Sequence, residues 1–259
     1  MEDARGEIYV RALALPGALI GARVATAAAP ALVHLLAMWV HESGHAVTAW
    51  LTGFAAFPGP WITPIGSERS PLVTLVLAGA LAVGAYRAWQ IERWFWVVTA
   101  TAVLGVALAG TFGLHPLYAR QLFTFMGDGG CFVLGSVLML TMYARADHPL
   151  RRERLRWVCL AIGALAFMDV RTTWSGATGR LPFGEDDRGL SDASTLTELY
   201  GWTMGLLVDR YAQLAVGCFI VLAAAWAVGL LQALGERQVA VTSSSPSSFP
   251  RTRRTASTR

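Results

Sequence analysis

The 259-residue chain contains no lysine and no asparagine, and charged residues make up only 15% of it. Soluble domains carry about 25% charged residues. Such scarcity, with 54% hydrophobic residues and a mean hydropathy of +0.47, excludes an ordinary soluble globular protein. All 21 basic side chains are arginines, a bias that fits a GC-rich bacterial genome. No basic patch is interleaved with aromatics, so the sequence offers no nucleic-acid surface. The three cysteines, Cys131, Cys159 and Cys218, fall in separate apolar segments and do not form a disulfide framework. No short apolar stretch carries a cleavage-site pattern, so no removable signal peptide is expected.

What the chain does contain is long apolar runs. Residues 31–51, 71–89, 94–114, 120–143, 155–174 and 211–234 reach or approach the roughly 20 residues needed to cross a bilayer. Residues 13–29 are apolar but short, carry Arg23 and meet Pro30, which fits either a seventh span or an interfacial helix. The predicted fold is all-α, a polytopic transmembrane helix bundle of six or seven spans. Residues 1–30 form an N-terminal segment, 31–235 the membrane-embedded bundle, and 236–259 a disordered basic tail. With sides numbered alternately, the side holding Arg87, Arg93, the 145–156 cluster and the tail has about twice the arginines of the other. The positive-inside rule assigns that side, with the C-terminal tail, to the cytoplasm of a bacterial cell membrane.

One run breaks the apolar pattern: His41-Glu42-Ser43-Gly44-His45. Residues four apart share a helix face, so His41 and His45 can grip one metal ion, and Glu42 beside them is placed as general base. Ionisable groups in mid-membrane are costly, at about 2.5–3.5 kcal/mol for a central charge, and such groups mark function. The metal expected of this spacing is Zn2+.

A catalytic zinc site needs a third ligand. Asp128, in Gly127-Asp128-Gly129, lies at a depth similar to that of His41 on another span, and is the leading candidate. A metal between the two helices would remove the strain of a carboxylate in lipid. Cys131 reads first as a packing thiol, His115 as a cap before Pro116, and His148 as a solvated loop residue. His34, two turns before His41, reads as a core histidine bonded to a backbone carbonyl, with a supporting role at the metal as the alternative. Asp169 and Asp209 read as partners of Arg171 and Arg210 or of headgroups. Residues 175–209 read first as a plain outer loop, with a cap over the bundle as the alternative, and Thr195-x-x-Glu198 reads as a capping box opening a short helix.

The run His41–Gly53 followed by Gly127-Asp128-Gly129 resembles the site-2 protease family of intramembrane zinc metallopeptidases, in its small bacterial peptidase-like branch. The resemblance implies zinc at His41, His45 and Asp128, Glu42 as catalytic base, and cleavage of a peptide bond in a membrane-anchored protein substrate within the lipid bilayer. Two alternatives stand beside it. One is a non-proteolytic membrane protein of the same fold acting as a binding or scaffolding partner. The other is a different zinc hydrolase or a transporter.

Overall fold

The computed structural model describes residues 2–144, 154–176, 182–186 and 189–243. Among them the long elements are helices α1 (Glu2–Ala28), α2 (Pro30–Leu51), α3 (Pro71–Gln90), α4 (Trp94–Leu108), α5 (Pro116–Leu140), α6 (Leu155–Trp174) and α8 (Met204–Ser243). A one-turn helix, α7 (Asp192–Ser194), lies between α6 and α8. Two antiparallel strand pairs, β1 (Phe54–Ala56) with β2 (Ile65–Arg69) and β3 (Glu185–Asp186) with β4 (Gly189–Leu190), join short π-helical turns at Ala109–Gly113 and Thr195–Leu199 and a 3-10 turn at Thr141–Tyr143. Proline opens α2, α3 and α5, at the position where its missing N–H costs no helical hydrogen bond. His115 caps α5 through its ring, Nδ1 accepting from the Leu117 N–H, in the capping role read from the sequence.

Among the described residues five segments are long and apolar enough to cross a membrane: residues 6–28, 71–90, 94–113, 116–143 and 204–235. This is consistent with an integral membrane protein. The N-terminal segment, read as a span or an interfacial helix, is therefore a helix of spanning length and composition. The motif helix α2 and helix α6 are not among the five. Their apolarity is diluted by the histidines and Glu42 on α2, and by Arg156, Asp169 and Arg171 on α6. Residues 211–234 were expected as the last span, and α8 is longer, running through Ser243 into the segment read as a disordered tail. Residues 244–259 and His148 lie outside the described residues.

Burial separates inner from outer helices. α5 buries half of its apolar window, whereas α3 and α4 turn Leu75, Val76, Phe95 and Val98 outward. In water this surface would be a severe aggregation liability; in lipid it is the expected outer face. α2 and α5 run antiparallel and touch at glycine. A Cβ on Gly44 would lie 2.8 Å from the Gly130 Cα, so no other residue allows this approach. α6 closes on α5 in the same way, a Cβ on Gly135 lying 2.9 Å from the Gly163 oxygen. Phe132, Phe167 and Phe219 then stack edge to face across α5, α6 and α8, with centroids 5.1 and 4.7 Å apart.

Two ends of the bundle differ in character. At one, Arg69 on β2 donates to the carbonyls of Thr52 at 3.1 Å, Gly110 at 3.2 Å and Leu114, while its guanidinium lies over the Phe54 ring. Gly53, at φ +84°, turns the chain out of α2 into this hairpin. At the other end, Arg156 reaches Glu7 at 3.5 Å, and the Tyr143 hydroxyl donates to the Arg11 oxygen at 3.4 Å. Substituting Gly44→Val should force α2 from α5 at a cost of about 3 kcal/mol. Thermal unfolding in detergent checks this: a melting temperature equal to wild type would contradict the glycine contact.

Candidate metal centre

α2 carries His41 and His45 on one face, and the Gly44–Gly130 contact presses that face against α5. The rings lie edge to face, with centroids 4.8 Å apart and their Nε2 atoms 3.1 Å apart. Each Nδ1 points away from this meeting point to a group that accepts hydrogen bonds. His45 Nδ1 donates to the Phe123 carbonyl at 2.7 Å. His41 Nδ1 donates to Asp128 Oδ1 at 3.1 Å, and the other oxygen of that carboxylate accepts from the Trp174 indole at 2.7 Å. A carbonyl cannot donate, and a carboxylate is acceptor-only when ionised. In its neutral form each ring is thus held as the Nδ1–H tautomer, with Nε2 turned to the meeting point.

The third atom at this point is Asp192 Oδ2, 3.1 Å from His41 Nε2 and 3.0 Å from His45 Nε2. Among the described residues, His41, His45 and Asp192 form the group able to hold a metal ion. Asp128, expected as third ligand from its depth, is instead bonded to the back of the His41 ring. Its helix brings the carboxylate beside His41, but to Nδ1 and not to the Nε2 side. Asp192 comes from the segment 182–203, read as a plain outer loop. Burial opposes its ionisation, yet the two histidine rings hold its carboxyl well below the usual carboxylate range.

This strap is built to hold Asp192 in place. The Ser191 hydroxyl accepts from the Ser194 N–H at 3.2 Å and donates to the Pro182 oxygen at 2.8 Å. Ser191, not Thr195, therefore caps the helical turn, which begins three residues before the expected capping box. Leu196 is fully buried, and the Trp202 indole donates to Gln121 on α5 at 3.3 Å. The sequence signal for Asp192 was only this Ser-Asp-x-Ser cap, which is common at helix starts and carries no metal information.

Glu42 is buried and lines a cavity of about 630 Å³ together with the three ligand residues. The roof comes from Trp61, Ile62 and Thr63 of the β1–β2 connection and from residues 182–185 and 189–193. Thr63 ties roof to floor, its hydroxyl donating to the Glu42 carbonyl at 2.9 Å. Gly127 supplies the open space. A Cβ there would stand 2.5 Å from His45 Nε2 and 2.6 Å from Asp192 Oδ2, on top of the ligand atoms. Cys131 is buried, its thiol donating to the Ala37 oxygen at 3.9 Å, the packing role expected of it.

No family model, curated protein or solved structure matches this chain.

Gly127→Ala should therefore cost at least tenfold in metal affinity while leaving the helical circular dichroism intact. Trp174→Phe, which removes a donor from the carboxylate behind His41, should cost about 10-fold to 100-fold. Competition with a chromophoric zinc chelator measures both, and wild-type affinity in Gly127→Ala would show that the ion sits elsewhere.

Proposed function

We propose that this chain is an intramembrane zinc hydrolase that cleaves a peptide bond of a membrane-anchored protein. The carrying observation is the meeting of three lone-pair atoms, His41 Nε2, His45 Nε2 and Asp192 Oδ2, at 3.0–3.1 Å. Zinc with bonds of about 2.0–2.1 Å separates its tetrahedral ligands by roughly 3.3 Å, close to this triangle. Two imidazoles and one carboxylate form a donor set typical of catalytic zinc, which keeps a further position open. Asp128 and Trp174 behind His41, and the Phe123 carbonyl behind His45, supply the orienting partners that zinc-bound histidines require.

A zinc ion held here would act as a Lewis acid on a carbonyl and lower the pKa of a bound water to about 7. The chain's own part falls to Glu42. A structural zinc needs no base, yet a buried carboxylate stands beside the ligands in the same cavity. Glu42 takes a proton from the attacking water as the new C–O bond forms, and returns it to the amide nitrogen as the C–N bond breaks. The resemblance of His41–Gly53 to site-2 proteases supports a peptide bond as substrate. The arginine distribution supports entry from the outer half of the bilayer, since the strap and hairpin lie at the end opposite Arg156.

Two results test this reading. Glu42→Gln should retain zinc and abolish turnover, so that an uncleaved membrane protein accumulates in cells carrying the variant; an unchanged membrane proteome would remove the protease assignment. Because Asp192 sits on the strap, zinc should also slow amide exchange across residues 189–199 by about tenfold or more, with little effect on α3 and α4. Equal exchange with and without zinc would place the metal away from Asp192.

A further inference from the structure

α6 bears a second buried carboxylate that the hydrolytic scheme leaves unused. Asp169 is 8% exposed, and its Oδ2 lies 3.0 Å from Nδ1 of His34. The expected pairing of Asp169 with Arg171, and of His34 with a backbone carbonyl, is replaced by this contact. Two of the three histidines of α2 are thus held alike: His41 by Asp128 and His34 by Asp169, each through Nδ1. In both, Nε2 is the nitrogen turned away from the carboxylate behind the ring. His34 lines the cavity of the metal centre, and its side chain is 66% exposed. Seven residues of helix place it roughly 10 Å from His41 along the same face.

An exposed imidazole backed by a buried carboxylate is an expensive arrangement at membrane depth unless something binds it. A peptide entering this site supplies such a group. To reach the metal it must be extended, and unwinding a membrane helix frees backbone N–H and C=O groups that lipid cannot satisfy. An extended chain rises about 3.3 Å per residue, so roughly three residues span the distance from the ligand triangle to His34. Nε2 matches either backbone group, accepting from an N–H when the ring is neutral and donating to a carbonyl when it is protonated.

Resting on the zinc hydrolase reading, we propose that the His34–Asp169 pair is a metal-free subsite that binds the backbone of an extended peptide about three residues from the bond under attack. His34 touches the peptide, and Asp169 positions His34. Peptidyl hydroxamates of one, two and three residues are suitable probes, since the hydroxamate anchors each of them at zinc in the intact, zinc-loaded chain. In wild type the third residue should improve affinity about tenfold. His34→Phe should abolish that gain with unchanged zinc content, His34→Gln should keep part of it, and Asp169→Asn should reduce it. The same length dependence in His34→Phe as in wild type would overturn the subsite while leaving the metal site standing. Loss of zinc in both His34 variants would also overturn it, by making His34 part of the metal centre's support. Failure of every hydroxamate to bind wild type would instead count against the zinc reading.

Discussion

Three electron-rich atoms from two places in the chain meet within hydrogen-bond distance, and two of the three are fixed as acceptors by what lies behind them. The Phe123 carbonyl and the Asp128 carboxylate each hold an Nδ1 proton, so two Nε2 atoms and an Asp192 oxygen converge on one point. Without a cation, the cluster must take up a proton or repel itself; with a dication, repulsion becomes coordination. Much of the surrounding structure serves this meeting. The Gly44–Gly130 contact sets the depth of α2 against α5, Gly127 leaves the space empty, and Trp174 on α6 steadies the carboxylate behind His41.

The division of labour among helices follows from the same constraint. Polar groups within a bilayer must face protein or a water-filled cavity. Accordingly α2 and α6, which carry the histidines, Glu42 and Asp169, fall below the apolarity of a free-standing span, and α5 between them is half buried. The strongly apolar α3, α4 and α8 turn their aliphatic side chains outward. The strap segment 189–203 lies outside these long helices, yet it delivers the third oxygen of the group able to hold a metal. Opening the cavity roof and dismantling the metal site are therefore mechanically linked, whereas His34 and Asp169 stand on rigid helices and are not.

Much of this was legible in the sequence because spacing and hydropathy are local properties. The apolar runs located the long helices, although α5 starts at Pro116 rather than at residue 120, and the His41–His45 spacing located one face of the centre. Asp128 was found by depth, a one-dimensional measure that cannot tell which side of an imidazole a carboxylate will meet. Asp192 was missed for a different reason. It sits about 150 residues after His45 in a polar connection without periodicity, and only the folded strap brings it back to α2. The pairing of His34 with Asp169 likewise depends on the crossing of α2 and α6, which Gly135 and Gly163 set through α5.

The most direct test is zinc stoichiometry in the full chain purified in detergent, comparing wild type, Asp192→Ala and Asp128→Ala. Wild type should hold one zinc per chain. Asp192→Ala should lose it, and Asp128→Ala should bind more weakly but still fill at saturating zinc. Full zinc in Asp192→Ala with none in Asp128→Ala would contradict the centre described, and a wild-type chain that never binds zinc would contradict the function proposed for it.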